Sequence, residues 1–119
     1  MDRKNSVTVY TDGSCNPLHQ IGSWAAILLI EDKKLVLTGT EPNTTHQRME
    51  LTAVLKALEY VEHNDLLTQP VQLYSDSQYV INLEKRGAKL ESNSYLTKSG
   101  QPIRNVDLVK KIIGYLDNS

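Results

Sequence analysis

Four short segments of the chain have the pattern of apolar and polar residues that is typical of β-strands. The first, 7–10, alternates apolar and polar residues, and two more strands are predicted over 24–30 and 35–38. The polar residues 31–34 join the last two, and so short a connection predicts an antiparallel hairpin. A fourth strand is predicted over Val71–Ser75. We expect it to join beside the first strand, because strand–helix–strand crossovers are almost always right-handed.

Apolar residues at helical spacing predict helices between and after these strands. The longest helix follows the third strand, and Thr44 with Gln47 fits a capping box at its start. A short helix is predicted over 77–83, residues 87–101 are polar and irregular, and 106–116 has a helical pattern again. The long helix carries two apolar rows, which indicates that it lies against a sheet: Leu51, Val54, Leu55 and Leu58 beside Ala53, Ala57 and Val61.

The order of these elements predicts an α/β fold. We expect a mixed sheet in the order 3-2-1-4 with helices packed on it. This arrangement accommodates three strands, a helix, a fourth strand and further helices in that chain order. Neither repeats nor a linker-like segment interrupt the chain, so residues 1–119 are predicted to form a single domain.

Composition narrows the class of protein only moderately. Hydrophobic residues make up 39% and charged residues 23% of the chain, as in ordinary globular proteins. No apolar run approaches the roughly 20 residues that span a bilayer, and the start of the chain lacks the apolar stretch of a signal peptide. The single cysteine, Cys15, excludes an intrachain disulfide. We therefore expect a cytoplasmic protein without a membrane partner.

Charge is distributed unevenly along the chain. The net charge is −1, yet the segment 85–111 contains seven basic residues and two acidic ones. One interpretation is a phosphate-facing patch near an acidic site, and the other is an ordinary solvated surface. The charge pattern alone leaves both open.

Three carboxylates are candidates for chemistry. Asp12 and Asp76 each end a strand of the same pattern (Val, polar, aliphatic, Tyr, hydroxyl, Asp), so adjacent parallel strands would bring them together at one sheet edge. Glu50 lies near the start of the long helix, on the face expected to meet the sheet. Singly, the aspartates fit turn residues and Glu50 fits dipole stabilisation. Together they form an all-oxygen cluster suited to Mg²⁺ or Mn²⁺, and two such ions can hydrolyse a phosphodiester.

Four segments of the chain resemble the type 1 ribonucleases H in order and spacing, from residue 7 to the end. These segments are 10–16 (YTDGSCN), 44–51 (TTHQRMEL), 75–80 (SDSQYV) and 101–108 (QPIRNVDL). The resemblance implies a ribonuclease H-like fold in which Asp12, Glu50 and Asp76 are catalytic and bind a two-metal site, with Mg²⁺ as the cofactor or Mn²⁺ as a substitute.

The resemblance also implies residues that contact an RNA–DNA hybrid. Residues matching Cys15, Asn16, Gln47 and Gln78 line the minor groove, where 2′-hydroxyl contacts distinguish RNA from DNA. Thr45 and Asn105 match residues that hold a phosphate of the DNA strand. The family's basic protrusion corresponds to 81–104, which lacks the family's tryptophans but keeps three basic residues: Lys85, Arg86 and Lys89. Arg48 and Tyr79 have plain interpretations, a helix-surface charge and a packed aromatic ring.

The chain departs from the family's pattern most at its end. The family continues with a fifth strand, a loop that carries a histidine and a last helix with a fourth metal-binding aspartate. We expect the domain to be C-terminally incomplete, because the sequence stops where the fifth strand should begin. The histidines and two late aspartates are not substitutes for the missing residues, since their positions do not match: His19, His46, His63, Asp107 and Asp117.

The function predicted from this resemblance is metal-dependent endonucleolytic hydrolysis of the RNA strand of RNA–DNA hybrids, leaving 5′-phosphate and 3′-hydroxyl ends. One alternative is a non-catalytic hybrid-binding module or an inactive fragment of such a nuclease. Another is a different activity on the same superfold, such as junction resolution. We expect a monomer, with a swapped dimer as the alternative if the chain ends at Ser119.

Overall fold

The computed structural model describes residues 7–31, 33–64, 71–75 and 77–117. Within them, three long strands precede the first helix, and a fourth strand is followed by two more helices. In chain order the elements are β1 (Val7–Asn16), β2 (Ile21–Ile30), β3 (Lys33–Pro42), α1 (His46–His63), β4 (Val71–Ser75), α2 (Gln78–Ser92) and α3 (Val106–Asp117).

The four strands form one mixed sheet in the order β3-β2-β1-β4, which confirms the predicted α/β fold and strand order. The pairs β1–β2 and β2–β3 are antiparallel, and β1–β4 is parallel, with Val7 opposite Val71 and Thr11 opposite Ser75. The predicted hairpin is therefore the β2–β3 pair. Among the described residues β4 pairs with β1 alone, so its other edge is open there.

The first three strands are each longer than the sequence pattern indicates. The pattern ends β1 before a turn at 12–14, but the strand continues to Asn16 because Asp12 and Ser14 pair with Ala25 and Ser23 of β2. An antiparallel neighbour supplies ladder hydrogen bonds that outweigh the local preference of Asp and Gly for a turn.

The start of α1 corrects the predicted capping box. The N-cap is Thr45, whose Oγ1 accepts a hydrogen bond from the backbone N–H of Arg48 at 3.1 Å. Thr44 is buried beneath the helix start, and its Oγ1 has no partner among the described residues. A sequence pattern does not distinguish the two adjacent threonines. Burial of Thr44 leaves Thr45 to cap the helix.

Helix α2 extends well beyond the predicted 77–83. It runs to Ser92 and so includes the first six residues of a segment that the sequence predicts to be irregular. Leu83 and Leu90 are buried on one side of it, and Gly87 between them faces Ile113 of α3. Packing against α3 thus continues the helix through a glycine that local propensity disfavours.

The two apolar rows of α1 pack against different partners. Ala57 and Val61 face the sheet, in a cluster with residues of β1 and β2. Leu51, Val54, Leu55 and Leu58 belong to a second cluster with α2 and α3. Leu73 of β4 contacts both clusters, so α1 joins the sheet to the other helices. No helix in the described part of the chain is long and apolar enough to cross a membrane.

Candidate active site

The elements β1 and α1, which carry two of the predicted carboxylates, approach each other closely. Gly13 is buried, and a Cβ at this position would overlap with the backbone of Met49 and Glu50. Only glycine lets the strand lie directly on the first turns of the helix. Asp12 precedes Gly13 on the strand, and Glu50 is the residue whose backbone the glycine meets. The structure thus brings the neighbourhoods of Asp12 and Glu50 together.

Asp12 lies on the sheet surface, in the interior of β1 rather than at its carboxyl end as predicted. It nevertheless follows Thr11, the last residue of β1 that pairs with β4. Its exposed side chain lines an open depression of about 360 Å³, which hydroxyl groups of Ser14 and Ser23 also border. Beside it on the same face, the rings of Tyr10 and Tyr74 stack with their centroids 5.1 Å apart.

Glu50 is largely shielded, with 15% of its side chain exposed. Its Oε1 lies 3.7 Å from Nε2 of His46, one helical turn earlier, and that histidine is 64% exposed. Among the described residues, no Lys or Arg forms an ion pair with Asp12 or Glu50. Two oxygen-donor side chains that are not paired with a Lys or Arg have the chemistry that a hard divalent ion requires.

The third predicted carboxylate, Asp76, lies outside the described residues. Its neighbours do not: Ser75 ends β4 opposite Thr11, and Ser77 caps α2 by accepting from the N–H of Val80. Within the described ranges no group of three His, Cys, Asp or Glu side chains converges closely enough to hold a metal ion. The convergence of Asp12, Glu50 and Asp76 on one metal site therefore stays a prediction.

Three of the predicted hybrid-binding residues are neighbours near the start of α1. The Cys15 thiol lies 3.3 Å from the carbonyl oxygen of Thr44, and Cys15 and Thr45 line the same open depression. Asn16 is exposed, and its Oδ1 accepts hydrogen bonds from the backbone N–H groups of Leu18 and His19. Cys15 and Thr45 thus form one surface, with Asn16 next to them at the end of β1.

Gln47 and Asn105 are brought together from segments far apart in sequence. Nδ2 of Asn105 donates to Oε1 of Gln47 at 3.2 Å, which joins the start of α1 to the residue just before α3. Asn105 has a φ of 56°, a left-handed conformation that asparagine tolerates better than most residues.

The remaining predicted residues lie on α2. In the described part of the chain, no hydrogen bond or ion pair joins them to the predicted residues at the starts of α1 and α3. Gln78 is exposed in the first turn, where its Nε2 contacts Oδ1 of Asn82 at 3.5 Å. Lys85, Arg86 and Lys89 are exposed further along the helix. The basic residues of the predicted protrusion thus form a helical face, not an irregular loop.

Arg48, which the sequence suggested to be a helix-surface charge, makes hydrogen bonds that the sequence did not predict. Its Nη1 donates to Oδ1 of Asn105 at 3.2 Å, and its two terminal nitrogens bind both carboxylate oxygens of Asp107 at 3.1 and 2.7 Å. The hydrogen bonds with Asp107 raise the pKa of Arg48 and hold the pKa of the Asp107 carboxyl below its usual 3.8, although burial opposes both shifts. No pattern in the sequence pairs Arg48 with Asp107, since they are 59 positions apart.

Comparison with known proteins assigns the family. The family profile described as RNase H matches residues 4–117. The chain belongs to the RNase H family. A protein named Ribonuclease H from Moorella thermoacetica is 43% identical over 90% of this chain and 69% of the relative. The Ribonuclease H of Ehrlichia ruminantium is 37% identical, over 96% of this chain and 78% of the relative. These matches confirm the resemblance drawn from the four sequence segments.

Solved structures with the same fold agree with the observed RNase H sheet. A type 1 RNase H with the type 2 active-site motif superposes with a TM-score of 0.76 at 22% identity, over 94% of this chain and 58% of that one. A foamy viral protease-reverse transcriptase in complex with dsDNA gives 0.76 at 20% identity, over 92% and 73%. At such identities the likeness supports the fold alone.

Proposed function

We propose that this RNase H family chain carries the site of a metal-dependent endonuclease that hydrolyses the RNA strand of RNA–DNA hybrids. The observation that supports the proposal is the contact of Gly13 with the start of α1, which brings the strand that carries Asp12 against the backbone of Glu50. Among the described residues, no Lys or Arg forms an ion pair with either carboxylate. Relatives named Ribonuclease H at about 40% identity support the same activity.

In this proposal Asp12, Glu50 and Asp76 hold Mg²⁺, or Mn²⁺ in its place. The chemistry that such ions would supply is activation of a water molecule and stabilisation of the leaving oxygen, with 5′-phosphate and 3′-hydroxyl ends as the proposed products. The contribution of the chain is to hold the carboxylates rigidly: Asp12 is fixed in a paired strand, and Glu50 is fixed on a helix packed against that strand. The shielding of Glu50 limits the competition of water for its carboxylate.

The substrate in this proposal lies across the starts of α1 and α2. Cys15, Asn16, Gln47 and Gln78 would face the minor groove and its 2′-hydroxyls. Thr45 and Asn105, at the N-terminal ends of α1 and α3, would hold a phosphate of the DNA strand, where helix dipoles favour negative charge. The basic face of α2 is proposed to attract the hybrid backbone through Lys85, Arg86 and Lys89.

A cleavage assay tests this proposal. The wild-type chain, a labelled hybrid and Mg²⁺ are expected to give cut RNA, and Asp12→Asn, Glu50→Gln or Asp76→Asn are expected to abolish cutting while hybrid binding persists. Glu59→Gln is the matched control, because Glu59 is another acid of α1 and its carboxylate contacts Lys56. Retained cleavage by Asp12→Asn or Glu50→Gln would contradict the catalytic assignment.

The same assay separates the alternatives. Binding of hybrids without cutting by the wild-type chain would favour a non-catalytic hybrid-binding module. Cutting of four-way junctions or duplex DNA in preference to hybrids would favour another activity on this fold. The monomeric state, the single-domain organisation and a cytoplasmic location stay predictions, and sedimentation of the purified chain checks the first of them.

A further inference from the structure

Gln47, Arg48, Asn105 and Asp107 form a directional chain of hydrogen bonds where the starts of α1 and α3 meet. Arg48 donates to the side-chain oxygen of Asn105, and the side-chain nitrogen of Asn105 donates to the oxygen of Gln47, each at 3.2 Å. Asp107 holds the guanidinium from the other side, through both carboxylate oxygens. We call these four residues the amide relay.

Arg48 fixes the direction of this relay because a guanidinium has donors and no acceptor. The atom of Asn105 that faces Arg48 must therefore be its oxygen, and the nitrogen must face the other way, toward Gln47. Gln47 then receives a donor and must offer its own oxygen. Each step leaves amide N–H groups that the relay does not use, and the second N–H of Asn105 has no acceptor within the described residues.

Free amide N–H donors are what a nucleic acid bound at this position would require. Phosphate oxygens and the groove-facing atoms of bases are mostly acceptors, and a flipped amide would present its oxygen to them instead. An unrestrained amide samples both orientations, so part of its population would meet a phosphate with the wrong atom.

Arg48 itself is poorly placed to act as the phosphate ligand. Both of its terminal nitrogens are used within the relay, and the carboxylate of Asp107 neutralises its charge through two hydrogen bonds. A bidentate pair of this kind has defined geometry as well as charge, which suits a supporting residue.

We propose that Arg48 is a positioning residue for hybrid binding, which sets the side-chain amides of Asn105 and Gln47 so that both present N–H donors to the nucleic acid. The inference rests on the proposed function, since it assumes that these amides contact the hybrid. It assigns to Arg48 no contact with the substrate and no part in the chemical step.

A double-mutant cycle on hybrid affinity tests the proposal. The dissociation constant of a labelled RNA–DNA hybrid is measured without divalent ions for the wild-type chain, Arg48→Met, Asn105→Ala and the double variant. We expect each single change to weaken binding by about tenfold, and the double variant to bind no more weakly than Asn105→Ala alone. Losses that add in full would overturn the proposal, as would an Arg48→Met variant that binds like the wild type.

Lys56→Met is the matched control for charge. Lys56 is a cation further along α1, paired with Glu59, and has no contact with the relay. Lys56→Met removes the same charge from the same helix as Arg48→Met. We expect it to leave the affinity unchanged to within about twofold, because Lys56 does not contact the relay. An equal loss in Lys56→Met and Arg48→Met would show that general charge, not amide orientation, controls binding.

Side-chain amide resonances provide a readout that does not depend on substrate. In ¹H–¹⁵N spectra of the free chain, the NH₂ group of Asn105, which donates to Gln47, is expected to be shifted and slow to exchange. Arg48→Met is expected to return it to solvent-exposed values and to shift the NH₂ resonances of Gln47. Unchanged resonances would overturn the positioning role. Failure of the wild-type chain to bind hybrid would instead contradict the proposed function, so the two failures are distinguishable.

Discussion

At the scale of single residues, the packing of β1 on α1 requires glycine at position 13. Gly13 carries no functional group, yet its contact with the backbone of Met49 and Glu50 sets how closely β1 lies on the start of α1. Both carboxylates can be identified from their sequence pattern, but that pattern gives no role to the glycine between β1 and α1. Three-dimensional contact, which no local pattern encodes, gives Gly13 its role in the packing of β1 on α1.

Gly13→Ala is expected to destabilise the chain by about 1–3 kcal/mol, because the added methyl group would overlap with helix backbone that cannot rotate away. Urea denaturation followed by circular dichroism measures the change. Gly114→Ala is the matched control: it lies in α3 with open space around it, so the same substitution there should stabilise by up to about 1 kcal/mol. An equal effect at the two glycines would contradict the contact between β1 and α1.

At the scale of elements, the sequence predicts the type and order of strands and helices better than their ends. The strand order and the sheet-facing row of α1 follow from spacing, since apolar residues must be buried wherever the fold places them. The ends of β1 and α2 do not, because β2 and α3 decide how far each continues. The pairing of Arg48 with Asn105 lies beyond local pattern for the same reason: it arises only once α1 and α3 pack.

The identity of the α1 cap gives a prediction at this scale. Thr45→Ala is expected to cost about 1 kcal/mol of stability, because it removes the acceptor for the N–H of Arg48. Thr44→Val should be neutral or stabilising, since it replaces a buried hydroxyl that has no partner in the described structure by a methyl group. Thermal denaturation of the two variants measures both effects. A larger loss of stability in Thr44→Val than in Thr45→Ala would indicate that Thr44 is the N-cap.

The basic face of α2 gives another prediction. Replacing Lys85, Arg86 and Lys89 together by glutamine should weaken hybrid binding and flatten its dependence on salt, by about 0.9 in the log–log slope for each phosphate that is no longer neutralised. Anisotropy titrations between low and physiological salt measure this. Lys33→Gln with Lys34→Gln is the control, because these exposed lysines lie at the start of β3. A slope that is the same in the triple variant and the wild type would mean that α2 does not contact the backbone.

At the scale of the whole molecule, the proposed site would connect the sheet with the helical layer. Asp12 belongs to the sheet and Glu50 to the helical layer, and their elements meet at a contact that admits no side chain. An ion held by both would therefore bind only when the layers are packed together. Ligands that bind the folded state alone stabilise it by mass action, so ion binding and global stability are expected to be coupled in this chain.

Mg²⁺ is accordingly expected to raise the melting temperature of the wild-type chain, with about 2.7 kcal/mol of added stability at about a hundred times its dissociation constant. Asp12→Asn and Glu50→Gln should each remove most of this gain, whereas Glu59→Gln, at an acid of the same helix outside the site, should keep it. NaCl at equal ionic strength separates ion binding from general screening of charge. A rise of the same size in Asp12→Asn and the wild type would place the ion elsewhere, and the sheet and helix would then be joined by packing alone.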